Sequence, residues 1–219
     1  MLTFHDIQND PEIRTYIQAA DKSLAALGYT EHSFAHVTTV AERVEYILTE
    51  LGRNERTVEL GRIAAFLHDI GNLVNRVDHS QSGAVMAFSI LSRMGMPPAE
   101  IAEITMAIGN HDEGTGVPVS EIAAALILSD KSDVRRSRVR ESGDLNTDIH
   151  DRVNYSVTAS SLEIDKERMR LKLSLTIDQT VGTVSDYFEI FLDRMLLCRR
   201  AAGSLGLSFR LFINENRMM

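Results

Sequence analysis

The sequence predicts a mainly helical fold that is followed by a small α+β unit. Up to about Ile149 the apolar residues recur with the 3.6-residue period of helices, whereas beyond Asn154 they alternate with the two-residue period of strands. Hydrophobic residues make up 44% and charged residues 25% of the 219 residues, which is ordinary for a globular protein. We therefore expect a helical domain over residues 1–150 and an α+β unit over residues 151–219.

The clearest predicted helix begins at Ser33, a favourable N-cap, and ends before Gly52, which suits the position after a helix. Its apolar positions are three or four residues apart and include Val37, Val40, Val44, Ile47 and Leu48. His36 precedes Val40 by four residues and so lies on the same face. His36 is therefore expected to point into the core.

A second helix should end at Gly71, and its apolar face is marked by Val58, Ile63, Ala64 and Leu67. This assignment places His68 and Asp69 in the last helical turn. The end of this helix is thus a natural position for chemistry.

Three further helices are expected from Ser80 to Met94, from Ala99 to Gly109 and from Ser120 to about Asp133. The segment Asp112–Pro118 between the last two contains two glycines and a proline, so it is expected to be a loop.

The α+β unit is expected to be an antiparallel hairpin, a helix and a strand. The apolar residues from Met169 to Ile177 alternate strictly, and the strand before them changes phase at Ser160-Ser161, which indicates a β-bulge. Asp165 to Arg168 should form the hairpin turn. An amphipathic helix from about Thr183 to Ala202 and a strand from Leu207 to Ile213 complete the unit.

Composition excludes several classes of partner. The net charge of −8, from 23 Lys and Arg against 31 Asp and Glu, repels polyanions, so no nucleic acid is expected. The longest apolar run, Ile122–Leu128, is far below the roughly 20 residues that cross a bilayer, and the N-terminus is too polar for a signal peptide. Since the single Cys198 cannot form an internal disulfide, a cytoplasmic protein without membrane association is expected. A homo-oligomer is left open.

Candidate metal ligands concentrate between residues 36 and 111, where four of the seven histidines begin or end predicted helices. With two aspartates they form a set that suits hard to borderline metals, namely His36, His68, Asp69, His79, His111 and Asp130. Adjacent helical side chains diverge by about 100°, so His68 and Asp69 cannot both lie on one narrow apolar stripe. Asp69 has two oxygens with which to bridge two ions. His36 and Asp130 would complete one metal shell, and the remaining histidines would serve the other.

Each of these residues also has a simpler interpretation when it is read alone. A histidine on an apolar face, such as His36, is more often a satisfied core residue than a ligand. Asp69 and Asp130 suit helix ends, His79 suits the neighbourhood of an N-cap, and His111 suits an exposed loop. Their joint spacing favours the metal site.

That joint spacing resembles the signature of the HD-domain superfamily of metal-dependent phosphohydrolases, in which a histidine is followed by a His-Asp pair and then by an aspartate. His36, His68-Asp69 and Asp130 match the pattern in order, and His68-Asp69-Ile70-Gly71 matches its central motif. The resemblance covers about residues 30 to 140. It implies an all-helical core and activity on a phosphomonoester, a phosphodiester or a nucleotide.

His79 and His111 look like the additional histidines of the two-metal members. The stretch that begins at His111 also resembles the HD-GYP branch, although Gly116-Val117-Pro118 stands in place of the tripeptide that names it. Asn72 occupies the position where HD-GYP-like members usually have a lysine that contacts phosphate. Asp112 replaces a second histidine, so a third metal is not expected.

The expected reaction is hydrolysis of a phosphate ester, on a nucleotide or another small phosphorylated metabolite, by a metal-activated hydroxide. His68, Asp69 and Asp112 are the candidate catalytic residues. The cofactors would be one or two divalent ions (Mn, Fe, Co, Ni, Zn or Mg), and the mixture of imidazoles and carboxylates favours transition metals over Mg²⁺. Lys131 and Arg135 are the candidate phosphate contacts, since they lie one helical turn apart after the last ligand.

Two alternatives remain at this stage. HD-like folds also resemble those of di-iron oxygenases, in which the open metal position binds dioxygen. The site can also belong to a non-catalytic, metal-binding regulatory module. The basic residues after Asp130 favour a phosphate substrate over both, although Arg136, Arg138 and Arg140 fit a solvated basic face equally well.

Overall fold

In a computed structural model, which describes residues 1–140 and 148–219, helices dominate and strands are confined to the C-terminal part. The described α-helices are α1 (Phe4–Asn9), α2 (Pro11–Ala26), α3 (Phe34–Glu50), α4 (Glu55–Leu67), α5 (His79–Arg93), α6 (Pro98–Gly109), α7 (Glu121–Lys131), α8 (Ile149–Ser156) and α9 (Val184–Ser204). The described strands are β1 (Val157–Asp165), β2 (Arg170–Ile177), β3 (Ser208–Ile213) and β4 (Asn216–Arg217). The mainly helical fold class is confirmed. The domain boundary near residue 150 stays a prediction.

The ends of α3 follow the predicted capping pattern. The hydroxyl of Ser33 accepts a hydrogen bond from the backbone N–H of Ala35, and Gly52 has a φ of +70°, which suits the left-handed position after a helix. The predicted helices that correspond to α4, α5, α6, α7 and α9 are also present, with ends that differ by a few residues.

The end of α4 differs from the prediction. The helix stops at Leu67, and a short 3-10 helix over Ile70–Leu73 follows, so that His68 and Asp69 lie at the junction instead of inside a last α-helical turn. A Cβ atom at Gly71 would lie 2.0 Å from the carbonyl oxygen of His79. Gly71 is therefore required by the close approach of this turn to α5, and not by a positive φ.

Helix α7 lies in the middle of the fold, against α3, α4, α6 and α9. Every residue from Ile122 to Lys131 is buried, which explains why its sequence has no polar face. Asp130 therefore projects from the last turn of a helix that is enclosed by α3, α4 and α6 on the N-terminal side of the chain and by α9 on the C-terminal side. None of the described helices is both long and apolar enough to cross a membrane.

The C-terminal sheet has the strand order β1-β2-β3-β4, with β1 antiparallel to β2, β2 parallel to β3 and β3 antiparallel to β4. Leu173 of β2 pairs with Leu211 of β3, and both side chains are buried on the face that α9 covers. The register shift lies between Val157 and Ala159, so the bulge predicted at Ser160-Ser161 was misplaced. The prediction assumed that Ala159 lies on the apolar face of β1, and the alternation of apolar residues was counted from it. In the structure Ala159 is exposed.

Candidate metal centre

Four buried imidazoles are held by their Nδ1 atoms, which leaves their Nε2 atoms free to face one another. The Nδ1 atoms of His68, His79 and His111 each donate to the carbonyl oxygen three residues earlier, at 2.7, 3.0 and 2.6 Å respectively. The Nδ1 of His36 donates to Oδ2 of Asp133 at 2.8 Å. These bonds fix the tautomer with a lone pair on Nε2, as in metal-ligating histidines.

Asp69 lies between two pairs of these nitrogens. Its Oδ2 is 3.6 Å from Nε2 of His36 and 3.3 Å from Nε2 of His68. Its Oδ1 is 3.5 Å from Nε2 of His79 and 3.9 Å from Nε2 of His111. The two carboxylate oxygens therefore face different histidine pairs, which is the geometry that a bridging ligand requires.

Asp130 completes one side of the cluster. Its Oδ1 lies 3.3 Å from Nε2 of His36 and 3.7 Å from Nε2 of His68, and its Oδ2 accepts from the ammonium of Lys131 at 2.7 Å. On the other side, the Nε2 atoms of His79 and His111 are 3.2 Å apart. The structure thus brings all six expected ligands together as one His–Asp cluster (His36, His68, Asp69, His79, His111 and Asp130).

The spacing of these atoms fits divalent cations better than direct contacts among the side chains. Ligand atoms about 2.0–2.2 Å from a tetrahedral ion lie roughly 3.3–3.6 Å from one another, which is close to the spacings found here. The Nε2 atoms of His36 and His68 are fully buried and have no hydrogen-bond partner among the described residues. Buried polar atoms are rarely left unpaired, so a cation at this position would satisfy them. His36, His68 and Asp130 form one group that can hold an ion, and His68, Asp69 and His111 form another.

The protonation states of His79, His111 and Asp69 agree with such a site. Burial lowers the pKa of His79 and His111, which keeps both imidazoles neutral, as ligands must be. Burial opposes ionisation of Asp69, but the neighbouring His68 holds the pKa of that carboxyl well below its ordinary value. Burial also opposes a charge on His68, yet Asp69 and Asp130 raise its pKa to about 10. A proton and a metal ion therefore compete for Nε2 of His68.

Asp133 is a functional candidate that the sequence reasoning did not identify. It is buried, orients His36 and lies 3.0 Å from Nε of Arg135, measured from its Oδ1. Its position three residues after Asp130, among basic residues, was the available signal. His32 was also missed, and its ring centroid lies 5.5 Å from that of His36.

The remaining predicted site residues differ in their placement. Lys131 is buried, with its ammonium 2.6 Å from Oε2 of Glu113 as well as in contact with Asp130. Burial alone would lower the pKa of Lys131, but these two carboxylates raise it. Asp112 is partly exposed, and its Oδ1 lies 4.0 Å from Nε2 of His79, at the edge of the cluster.

The placement of Arg135 does not support the expected contact with substrate. Its guanidinium binds Asp133 and the hydroxyl of Ser137, and it lines a separate depression beside Arg43. The physical reason is that α7 ends at Lys131 and Arg135 has an extended backbone, with φ −161° and ψ 149°. The one-turn helical spacing that would have aligned Arg135 with Lys131 therefore does not apply.

Other basic residues lie where Arg135 was expected. A narrow cationic recess opens against the His–Asp cluster, and its lining consists of His32, Asp69, Arg76, His79, Asp130, Lys131, Arg138 and Arg194. The guanidinium of Arg76 lies 3.4 Å from Nε2 of His79. Arg194 comes from α9, where its Nε donates to Glu113 at 2.9 Å. Sequence reasoning missed both arginines: Arg194 is far from the ligand motifs in the chain, and Arg76, although only three residues before His79, was not part of any motif considered.

Comparison with known proteins finds a relative, a similar solved structure and a matching family model. An uncharacterized protein of Methanocaldococcus jannaschii is 24% identical over 162 residues, which are 64% of this chain. The chain spans 62% of the length of that curated relative. The solved structure of a predicted HD superfamily hydrolase from an uncultured Thermotogales bacterium is similar at 23% identity and a TM-score of 0.44, over 62% of this chain and 75% of that chain. The family model for the HD domain matches residues 33–144, just over half of the 219 residues. This chain therefore belongs to the HD domain family.

Proposed function

We propose that this protein hydrolyses a phosphate ester of a small metabolite, in a reaction that requires divalent metal ions at the His–Asp cluster. Membership of the HD domain family indicates a hydrolase at the level of the superfamily. The observation that supports the finer proposal is the direct contact between a complete metal-ligand set and the cationic recess.

The ligand set divides into two halves around Asp69. His36, His68 and Asp130 would hold one ion, and His79 and His111 would hold a second, with one oxygen of Asp69 turned to each half. Divalent ions held by these residues would lower the pKa of bound water towards ~7 and would neutralise phosphoryl oxygens. Their identity among Mn, Fe, Co, Ni, Zn and Mg is set by ligand chemistry, which favours the transition metals here.

The recess supplies the positive charge that a phosphate group needs. Arg76 forms no ion pair with a carboxylate of the described residues, so its guanidinium remains available for phosphoryl oxygens. Lys131 is buried and held by two carboxylates, which fixes its ammonium beside Asp130. Asp112, at the edge of the cluster, would accept a proton from the attacking water.

The same recess distinguishes this proposal from the alternatives. A di-iron oxygenase binds neutral dioxygen and has no need of three arginines at its open metal position. A purely regulatory metal site would not need an available guanidinium beside the ligands either. The cationic lining therefore favours an anionic substrate that reacts at the cluster.

The test is metal analysis of the purified protein, followed by a hydrolysis screen of nucleotides and phosphate esters with Mn²⁺. Asp69→Asn should lose bound metal and activity while the helical circular dichroism remains. Asp193→Asn is the matched control, because Asp193 is exposed on α9 and lies outside the cluster. Full metal content in Asp69→Asn would contradict the bridging role. If the metal-loaded protein cleaves no phosphate ester, the oxygenase and the regulatory module become the better explanations.

A further inference from the structure

A larger cavity lies next to the cationic recess. It has a volume of about 380 Å³, within the range of small-molecule sites, and it shares His32, Arg76, Arg138 and Arg194 with the recess. A phosphate held in the recess would therefore direct the rest of its molecule into this side cavity.

Most of the remaining lining lies outside the segment that matches the HD domain family. Tyr29 comes from the loop after α2, Asp151 and Asn154 come from α8, and Phe191 comes from α9. The C-terminal unit thus forms part of the wall beside the candidate metal centre.

Two of the three arginines that both spaces share lie over the faces of aromatic rings. The guanidinium of Arg76 lies 5.6 Å from the ring centroid of Tyr29, and that of Arg194 lies 4.4 Å from the ring centroid of Phe191. Planar arginine–aromatic pairs present flat, polarisable surfaces on which a further ring can stack. Tyr29 is 43% exposed, so its ring is accessible to a ligand.

The cavity is also lined by buried polar groups. Asp151 and Asn154 are each 6% exposed, although they line the cavity. A pocket that combines aromatic surface with a few fixed polar groups is typical of sites that bind a polar ring system.

Arg194 is held in place from the metal side. Glu113 accepts from Nε of Arg194 at 2.9 Å and lies 2.6 Å from the ammonium of Lys131, so it joins α9 to the last turn of α7. Arg194 is therefore positioned at the border between the recess and the side cavity, where the phosphate of a substrate would join its organic part.

We propose that the side cavity is the subsite for the organic part of the substrate, and that this part is a nucleoside-sized, hydrogen-bonding ring system that stacks on Tyr29. This inference rests on the proposed phosphohydrolase function. It assigns substrate selection to Tyr29, Asn154 and α9, all of which lie outside the ligand motifs.

The test compares two phosphonates that have no hydrolysable ester bond, so binding is measured without turnover. They are the phosphonate analogue of adenosine 5′-monophosphate and methylphosphonate, which carries the anion alone. Calorimetric titration of the Mn²⁺-loaded protein should give at least about 10-fold tighter binding of the nucleoside analogue, the scale of one stacked ring.

Tyr29→Ala should weaken binding of the nucleoside analogue about 10-fold and leave methylphosphonate unchanged. Asn154→Ala should act in the same direction. Phe88→Ala is the matched control, because Phe88 is an exposed aromatic residue on α5 away from both spaces, and it should bind both phosphonates as the parent does.

Equal affinity of the parent for both phosphonates would overturn the subsite and leave the proposed function intact. The same conclusion follows if the analogue of ribose 5-phosphate binds as tightly as the nucleoside analogue and Tyr29→Ala changes neither. Failure of metal-loaded protein to bind even methylphosphonate would instead contradict the proposed function, and the subsite with it.

Discussion

Replacing Gly71 with alanine should destabilise the protein and weaken metal retention together. The added Cβ would lie 2.0 Å from the carbonyl oxygen of His79 and 2.4 Å from the backbone nitrogen of Gly83. Both contacts are with backbone, so rotation of a side chain cannot relieve them. The 3-10 turn and α5 must separate by about 1 Å or more, which moves His79 away from Asp69.

The size of the effect follows from the nature of the clash. Overpacking costs typically 1–3 kcal/mol, and a backbone clash belongs at the upper end, so we expect a loss of about 3 kcal/mol. For a chain of this length that corresponds to a fall in Tm of roughly 6–12 °C. The assays are thermal unfolding and metal analysis of the same preparation.

Gly203→Ala is the matched control for Gly71→Ala. Gly203 lies in α9 with no atom within 4 Å of an added Cβ, and its exposed helical position should gain about 0.4–1 kcal/mol from the substitution. If Gly71→Ala has the Tm and metal content of the parent, the close approach of the turn to α5 is not what sets the geometry of the cluster.

Three further outcomes are expected. His79→Ala combined with His111→Ala should halve the metal bound per chain, as measured by elemental analysis; an unchanged content would mean that neither is a ligand. Asp133→Asn should weaken metal affinity about 10- to 100-fold in competition with a chelator, because His36 loses its charged orienting partner, and retention at the parent level would contradict this. Arg76→Ala should lower kcat/KM for the phosphate ester found in the screen about 10- to 100-fold with metal content unchanged, whereas Arg135→Ala should stay within about threefold of the parent. Equal losses in both arginine variants would contradict the placement of the recess.

The helical part of the fold could be predicted from sequence because its signals are local. Ser33 and Gly52 carry the cap chemistry of α3, and the 3.6-residue period of its apolar positions is complete. The six members of the His–Asp cluster were also identifiable, since their residue types and order are specific when taken jointly. Their roles as ligands stay predictions.

What could not be predicted depends on contacts between distant segments. Arg194 reaches the recess only because α9 packs against α7, and Arg76 only because the segment after the 3-10 turn is held by the packing of that turn against α2 and α5. No local pattern encodes either contact. The parallel pairing of β2 with β3 likewise depends on where α9 returns the chain. Arg135 shows the opposite error, because a helical spacing was extended beyond the residue where the helix ends.

The way in which the histidines are oriented has a consequence for mutational tolerance. Three of the four rings are anchored by main-chain carbonyl oxygens, those of Ala65, Arg76 and Ile108. A main-chain oxygen is present whatever residue occupies the position, so substitutions there can change packing or charge without removing the anchor. His36 alone depends on a side chain, that of Asp133. A single substitution can therefore remove the hydrogen-bond acceptor of only one of these rings, that of His36. In a library of point variants scored for metal binding, substitutions at residue 133 should reduce binding more than substitutions at residues 65, 76 and 108.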